Sequence, residues 1–236
     1  TAAAASQCRV NLPDMTFSTL RTLHVAIDGE IVVANGYRGA SPTEATNVKS
    51  VSKTLMGAMV GAAIFNDVLS GVDEHVADLL PTALPADPDP RLRQLTVGHL
   101  LSMQSGLRRT SGQNYGAWVA SEDWTRSALS QPVEAAPGGQ MRYSTGNTHV
   151  LSAILETLTG QASYTLANEW LAPAGIVVAD WMTSPEGVAF GGNQIAMRPE
   201  ALVALGELYR NGGVAPTGER LLPAGWVADS WRVRAH

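Results

Sequence analysis

Ser50-Val51-Ser52-Lys53 opens an apolar run, Thr54-Leu55-Met56-Gly57-Ala58-Met59-Val60-Gly61-Ala62-Ala63-Ile64-Phe65, and the reading of this stretch decides the fold. The run is long enough for about four helical turns. Its small and large apolar residues alternate as on a buried helix. Residues three apart share a helix face, so the Ser50 hydroxyl and the Lys53 amine can meet. A serine hydroxyl is a weak nucleophile until a base takes its proton. A lysine serves as that base when burial or a nearby positive charge lowers its pKa towards neutrality. The start of a helix also offers free amides that favour developing negative charge.

The spacing alone is not specific in a chain with 17 serines. Lysine usage adds to it. Of the 16 basic residues only Lys49 and Lys53 are lysines, and they flank Ser50. A chain that otherwise uses arginine places amines here, where an arginine could not deprotonate. The competing reading makes Ser50 an ordinary N-cap and Lys53 a solvated first-turn residue. The helix dipole disfavours a cation in the first turn, which counts against it.

At 236 residues the chain makes one large domain or two small ones. With 45% hydrophobic and 16% charged residues, a sizeable core forms and global disorder is excluded. The net charge is −5, and no basic block or basic–aromatic interleaving is present, so nucleic acid is not an expected partner. The single cysteine, Cys8, excludes an internal disulfide and a cysteine-rich metal site. The longest apolar run, residues 55–65, is too short to span a membrane. The opening Thr1-Ala2-Ala3-Ala4-Ala5-Ser6 fits either the remnant of a cleaved export signal or an ordinary tail. The compartment stays open, leaning towards periplasmic or secreted over cytoplasmic.

Residues 20–27 and 30–34 are rich in β-formers, and Asp28-Gly29 between them predicts a hairpin. A helix is expected over 72–80, ended by Pro81, followed by a proline-rich surface loop to Pro90. Residues 95–103 read as a helix capped by Thr96 and broken at Ser105-Gly106-Leu107. His99 is assigned to the core or to capping, and His24 to structure. Residues 114–130 read as helical, with Trp118 and Trp124 as packing anchors and Tyr115 a candidate to line a cleft. Pro137-Gly138-Gly139 leads through Tyr143 into an amphipathic helix closed by Gly160. Further helices are expected at 163–172, 199–210 and 223–231. The position of Tyr143 lets it project into a cleft, where a nearby ammonium would lower its pKa and let it shuttle protons. The alternative is a half-buried packing tyrosine.

Three segments, Ser50-Val51-Ser52-Lys53, residues 95–107 and Pro137-Gly138-Gly139-Gln140-Met141-Arg142-Tyr143-Ser144, occur in an order and at spacings similar to the serine hydrolases related to class C β-lactamases. Those enzymes belong with the penicillin-binding proteins, which share the S-x-x-K motif. The resemblance runs from about residue 20 to the end. It implies an α/β fold of the β-lactamase/penicillin-binding type, an antiparallel sheet flanked by helices plus a mostly helical lobe. One domain over 1–236 is expected, with 17–65 and 186–236 as the α/β lobe and 66–185 as the helical lobe. The resemblance makes Ser50 the acylated nucleophile, Lys53 its base or proton relay, and Tyr143 the second proton-transfer group. The Ser50 N–H would be one oxyanion donor. The implied substrate is a small amide or ester: a β-lactam, a D-amino-acid peptide, or a short ester or amide. No metal or organic cofactor is implied.

Two departures qualify this. The family's Y-x-N has Thr145 at its third position, which keeps one hydrogen-bonding hydroxyl but lacks the amide's paired donor and acceptor. Thr145, with Tyr115, is the candidate for substrate binding, and Asn147 lies two residues further on. The family's later motif, K-T-G or H-x-G, is not found before Trp231-Arg232-Val233-Arg234-Ala235-His236. With only the opening hairpin legible, and a lone hairpin marginal, the C-terminal sheet strands are expected to be missing. They would lie on a second fragment of the same protein, be cleaved off, or be disordered. Two other classes remain: a penicillin-binding sensor that acylates without turnover, and a catalytically silent structural domain.

Overall fold

The computed structural model describes residues 19–234. The readings of Thr1–Ser6, Cys8 and His236 lie outside the described residues. Asp28 and Gly29 both take positive φ, 51° and 85°, as a two-residue turn of the I′ type requires. They join β1 (Thr22–Ile27) to β2 (Glu30–Gly36) in an antiparallel pair with Val25 opposite Val33. A short β3 (Thr46–Asn47) and a single 3-10 turn (Lys49–Val51) then lead into α1 (Ser52–Phe65). Leu55, Met56, Ala58, Met59, Val60, Ala62 and Ala63 are all fully buried, so α1 is a central helix. At roughly 1.5–3 kcal/mol per large buried side chain, its apolar run is a major contribution to the core.

The remaining helices are α2 (Val76–Leu79), α3 (Val97–Leu101), α4 (Tyr115–Val119), α5 (Trp124–Leu129), α6 (Thr145–Thr159) and α7 (Ser163–Trp170). Strands β4 (Val178–Trp181) and β5 (Ile195–Met197) follow, then α8 (Pro199–Arg210) and α9 (Trp226–Ser230). The chain is thus α/β, with small antiparallel sheets among many helices. The long helix α6 contacts α1, α2, α3 and α5 and buries Val150, Leu151, Ile154 and Leu155. Gly160, at φ 69°, ends it. Helix α8 packs on β1.

The structure corrects three sequence expectations. The helix over 72–80 forms only at α2, because the backbone before it is committed elsewhere. Gly98 N–H donates to Val72 O at 2.7 Å, Val97 N–H to Glu74 O at 3.0 Å, and Val76 N–H to Leu95 O at 2.9 Å. Residues 114–130 are two helices, since Asp123 accepts the Arg126 N–H at 2.7 Å and starts α5 afresh. The hairpin is also not alone: β3, β5 and β4 form a second antiparallel sheet, with Thr46 opposite Met197 and Val178 opposite the same residue. Strands of two to four residues are too short to show an alternation. Strand β4 falls inside the range expected to be mostly helical.

Trp118 and Trp124 anchor the helices, as expected. With Phe190 they enclose His149, which is fully buried, at ring-centroid distances of 5.7–5.9 Å from it. His149 Nε2 lies 3.1 Å from Glu186 Oε1 and 3.3 Å from Thr125 Oγ1, tying α6 to α5 and to the turn after β4. Glu186 loses solvation, which raises its pKa, but the bonds from His149 and from backbone N–H groups outweigh this and hold it well below the carboxylate range. No helix among the described residues is long and apolar enough to cross a membrane, and none of their His, Asp and Glu side chains form a group that could hold a metal ion.

Candidate active site

The site begins with a sharp turn. Lys49 takes the left-handed conformation, φ 50°, between β3 and α1. A non-glycine residue there costs about 1–2 kcal/mol. The Asn47 Oδ1 accepts the Lys49 N–H at 2.9 Å, an Asx-type turn that offsets part of that cost. Val48 N–H donates to Ile195 O at 2.9 Å and fixes the turn to β5. The result separates the two serines of the motif. Ser52 is fully buried and donates to Lys49 O at 2.5 Å. Ser50 is exposed at the helix start.

Lys53, one turn on, lies between three groups. Its Nζ is 3.4 Å from Ser50 Oγ, donates to Gly192 O at 2.6 Å, and sits 4.9 Å from the centre of the Tyr143 ring. Burial pushes the Tyr143 phenol up, but its hydrogen bonds with Ser50 and Lys53 and the Lys53 charge outweigh it and lower the pKa below the ordinary 10.0. Ser50, Lys53 and Tyr143 are therefore brought together.

The side chains of the other two candidates are engaged by other partners. Thr145 is 5% exposed and its Oγ1 bonds Ser111 Oγ at 2.8 Å. Tyr115 packs edge-on against Trp118, centroids 6.1 Å apart. Asn147 is also buried.

Tyr143 is held from behind by the segment after α3. Arg142 N–H donates to Met103 O and Gly138 N–H to Gln104 O, each at 2.8 Å. The Gln104 side chain returns bonds to Gly139 O at 2.6 Å and Gly138 O at 3.1 Å. His99 closes a capping box with Thr96: Thr96 Oγ1 accepts the His99 N–H, and His99 Nδ1 accepts the Thr96 N–H. Burial lowers the His99 pKa, which favours the neutral ring that can accept this bond. The capping reading of His99 therefore holds. The second and third motifs are neighbours in space, and the second is the backing of the third. Gly106 sits at their crossing with φ 75°, and a Cβ there would lie 2.2 Å from Ala135 O. Gly106→Ala is expected to lower stability by about 2–4 kcal/mol, from left-handed strain plus overpacking. A urea midpoint equal to the parent's would contradict this.

The start of α6 is capped by a neighbouring loop. Ser111 Oγ accepts the Thr145 N–H at 2.9 Å, and Thr110 Oγ1 accepts the Gly146 N–H at 2.7 Å. Ser144 Oγ in turn accepts the Thr110 N–H at 3.1 Å.

Gly191-Gly192-Asn193 is not among the site candidates that the sequence offers. Its role here is the carbonyl that holds Lys53. Neither glycine has positive φ. Each is small because a Cβ at Gly191 would lie 2.2 Å from Thr148 O, and one at Gly192 2.4 Å from Thr148 Oγ1. Gln194 was missed as well: it accepts from the Asn47 amide and from Lys49 Nζ, the latter at 3.3 Å. Paired glycines outside a hairpin were the available signal.

A family model described as Beta-lactamase matches residues 19–211. The chain belongs to the Beta-lactamase family. Among curated relatives, the Beta-lactamase-family chain is 29% identical over 143 residues to "Probable fimbrial assembly protein FimD, serogroup H1" of Dichelobacter nodosus, covering 58% of this chain and 36% of that one. It is 25% identical over 241 residues to the 6-aminohexanoate-dimer hydrolase of Paenarthrobacter ureafaciens, covering 92% of this chain and 59% of that one. Of solved structures, it superposes on EstCE1, a hydrolase with promiscuous acyltransferase activity, with a TM-score of 0.65 at 21% identity, over 88% of this chain and 70% of that one. The chain thus spans only about a third to three fifths of the curated relatives it matches. The fold expected from the motifs, of the β-lactamase and penicillin-binding type, is the fold found.

Proposed function

We propose that this chain carries the acyl-transfer centre of a serine hydrolase that cleaves a small amide or ester through a Ser50 acyl-enzyme. The observation that carries the reading is the meeting of Ser50, Lys53 and Tyr143 around one ammonium group. Ser50 Oγ attacks the carbonyl carbon and gives its proton to the Lys53–Tyr143 pair. The Ser50 N–H stabilises the oxyanion. As the bond to the leaving group breaks, Tyr143 returns a proton to the departing nitrogen or oxygen. Water then attacks the acyl carbon, its proton passing back through the same pair, and Ser50 is freed. A relative named 6-aminohexanoate-dimer hydrolase supports hydrolysis as the reaction class.

Incubation with a fluorophosphonate, followed by intact mass and peptide mapping, tests this. One adduct on Ser50, absent from Ser50→Ala, is expected. Labelling that survives in Ser50→Ala, or clean protein after long exposure, would overturn the nucleophile. A reporter ester then separates turnover from a stoichiometric burst, which would instead mark a sensor.

A further inference from the structure

Tyr143 is 40% exposed, and residues 141–144, which carry it, form no regular structure. Its ring keeps its place only as long as that backbone does. One residue holds both flanking amides. Met103 O accepts the Arg142 N–H at 2.8 Å, and Met103 Sδ accepts the Ser144 N–H at 3.5 Å. The second bond is buried, where an amide without an acceptor is costly. Met103 reaches both from a left-handed backbone, φ 58°. A residue with a Cβ takes that conformation at a cost, and here its carbonyl and its side chain both meet the Tyr143 segment.

Methionine sulfur is a weak acceptor and a site of oxidation. The chain has 7 methionines. Of the described ones, Met56, Met59 and Met197 are fully buried, while Met141 and Met182 are 44% and 39% exposed. Met103 is 8% exposed and lines a largely apolar cavity of about 710 Å³, which Val51 and Lys53 also line. It is the only methionine among the described residues in that wall. A small oxidant that enters the cavity therefore meets this residue beside the site.

A hydroperoxide supplies the chemistry. A sulfur lone pair attacks its terminal oxygen, so the S–O bond forms and the O–O bond breaks. The other oxygen leaves with the proton, as water or an alcohol. Sulfur loses two electrons and the peroxide gains them. An N–H···O contact alone needs about 2.7–3.2 Å. An added oxygen therefore has no room between the sulfur and an amide nitrogen 3.5 Å away. An oxygen on the cavity side instead draws electron density from the sulfur and puts a polar group in an apolar wall. Either product disturbs the hold on Ser144.

We propose that the Met103 sulfur is a positioning group for Tyr143 and that its oxidation to the sulfoxide by a hydroperoxide slows acylation of Ser50. The sulfur acts through the Ser144 amide and not on the substrate. This rests on Tyr143 moving protons at the site, as proposed above.

The test treats the parent, Met103→Leu and Met141→Leu with dilute hydrogen peroxide and maps the added oxygen by peptide mass. Single-turnover acylation by a reporter ester is timed before and after. In the parent the rate constant is expected to fall about tenfold in step with oxidation of Met103, the scale of a small misplacement. Substrate affinity should hold, a split that a loss of folded protein would not give. A methionine sulfoxide reductase with a thiol reductant should restore the rate. Met103→Leu should start about threefold to tenfold slower and lose nothing more. Met141→Leu should slow as the parent does. A second readout needs no catalysis: the phenol absorbance titration of the parent minus that of Tyr143→Phe. Its midpoint should rise on oxidation towards the ordinary 10.0, as the ring drifts from Ser50 and Lys53.

Met103 left unoxidised while Met141 and Met182 convert, full oxidation with rate and midpoint unchanged, or an equal loss in Met103→Leu overturns the proposal. Should Met103→Leu fail to fold, the parent and its reversal by the reductase decide. If the midpoint moves but no ester acylates Ser50 in any sample, the hold on Tyr143 stands and the hydrolase reading falls. If acylation proceeds at one rate whether or not Met103 is oxidised, hydrolysis stands and this proposal falls.

Discussion

Lys53→Ala is expected to slow acylation of Ser50 by about 10²- to 10⁴-fold, the range for loss of a positioned proton-transfer group. The reason lies in how many jobs one amine holds. It is 3.4 Å from the nucleophile, it lies against the Tyr143 ring, and it is anchored at 2.6 Å by the Gly192 carbonyl. Alanine removes the charge that lowers the phenol's pKa and, with it, the proposed relay for the serine proton. The anchoring bond is worth only about 1 kcal/mol to stability, so folding should survive. Lys53→Arg should not rescue the rate, because a guanidinium stays protonated. Stopped-flow acylation by a reporter ester, with a thermal melt on the same samples, makes the check. Acylation at the parental rate in Lys53→Ala would remove this residue from the chemistry.

Tyr143→Phe is the second large effect, again about 10²- to 10⁴-fold in kcat, and it carries a pH signature. The parent's phenol titrates below the ordinary 10.0. As pH rises through that lowered value the phenolate accumulates, so the rate should climb and level off earlier than an unperturbed tyrosine would allow. In the phenylalanine variant that limb should vanish. Stability follows a different course. A depressed folded-state pKa contributes its full stabilisation above the unfolded value, and the contribution is lost as pH falls through the folded value. Below the folded value the phenol is protonated in both states, so the perturbation adds nothing to folding there, and the variant's melt should be near the parent's. A pH–rate profile with the same alkaline limb in both proteins would sink the assignment.

Much of this site was legible because its parts are local. Ser50 and Lys53 are one helical turn apart, and Tyr143 follows a turn that glycine and proline announce. The capping of α3 by Thr96 and the end of α6 at Gly160 are local too. What could not be read was long-range. The carbonyl that holds Lys53 comes from 139 residues away in sequence. The β3–β5–β4 sheet pairs strands too short to carry a period. Thr145 was expected to face substrate because it follows Tyr143 by two. The first turn of α6 instead directs it inward to Ser111, a partner that no spacing rule supplies. The helix over 72–80 failed for the same reason, since its amides and carbonyls pair with residues 95–98.

The hydroxyls of Thr110 and Ser111 have a consequence for how this protein can change. They complete the N-terminus of its long internal helix, and they also fix the backbone that presents Arg109. Sequence change along residues 108–114 is therefore free at Arg109, which is exposed, and constrained at the next two positions. Variation here should exchange exposed side chains on an unaltered loop, because lengthening the loop would unseat the helix beneath it.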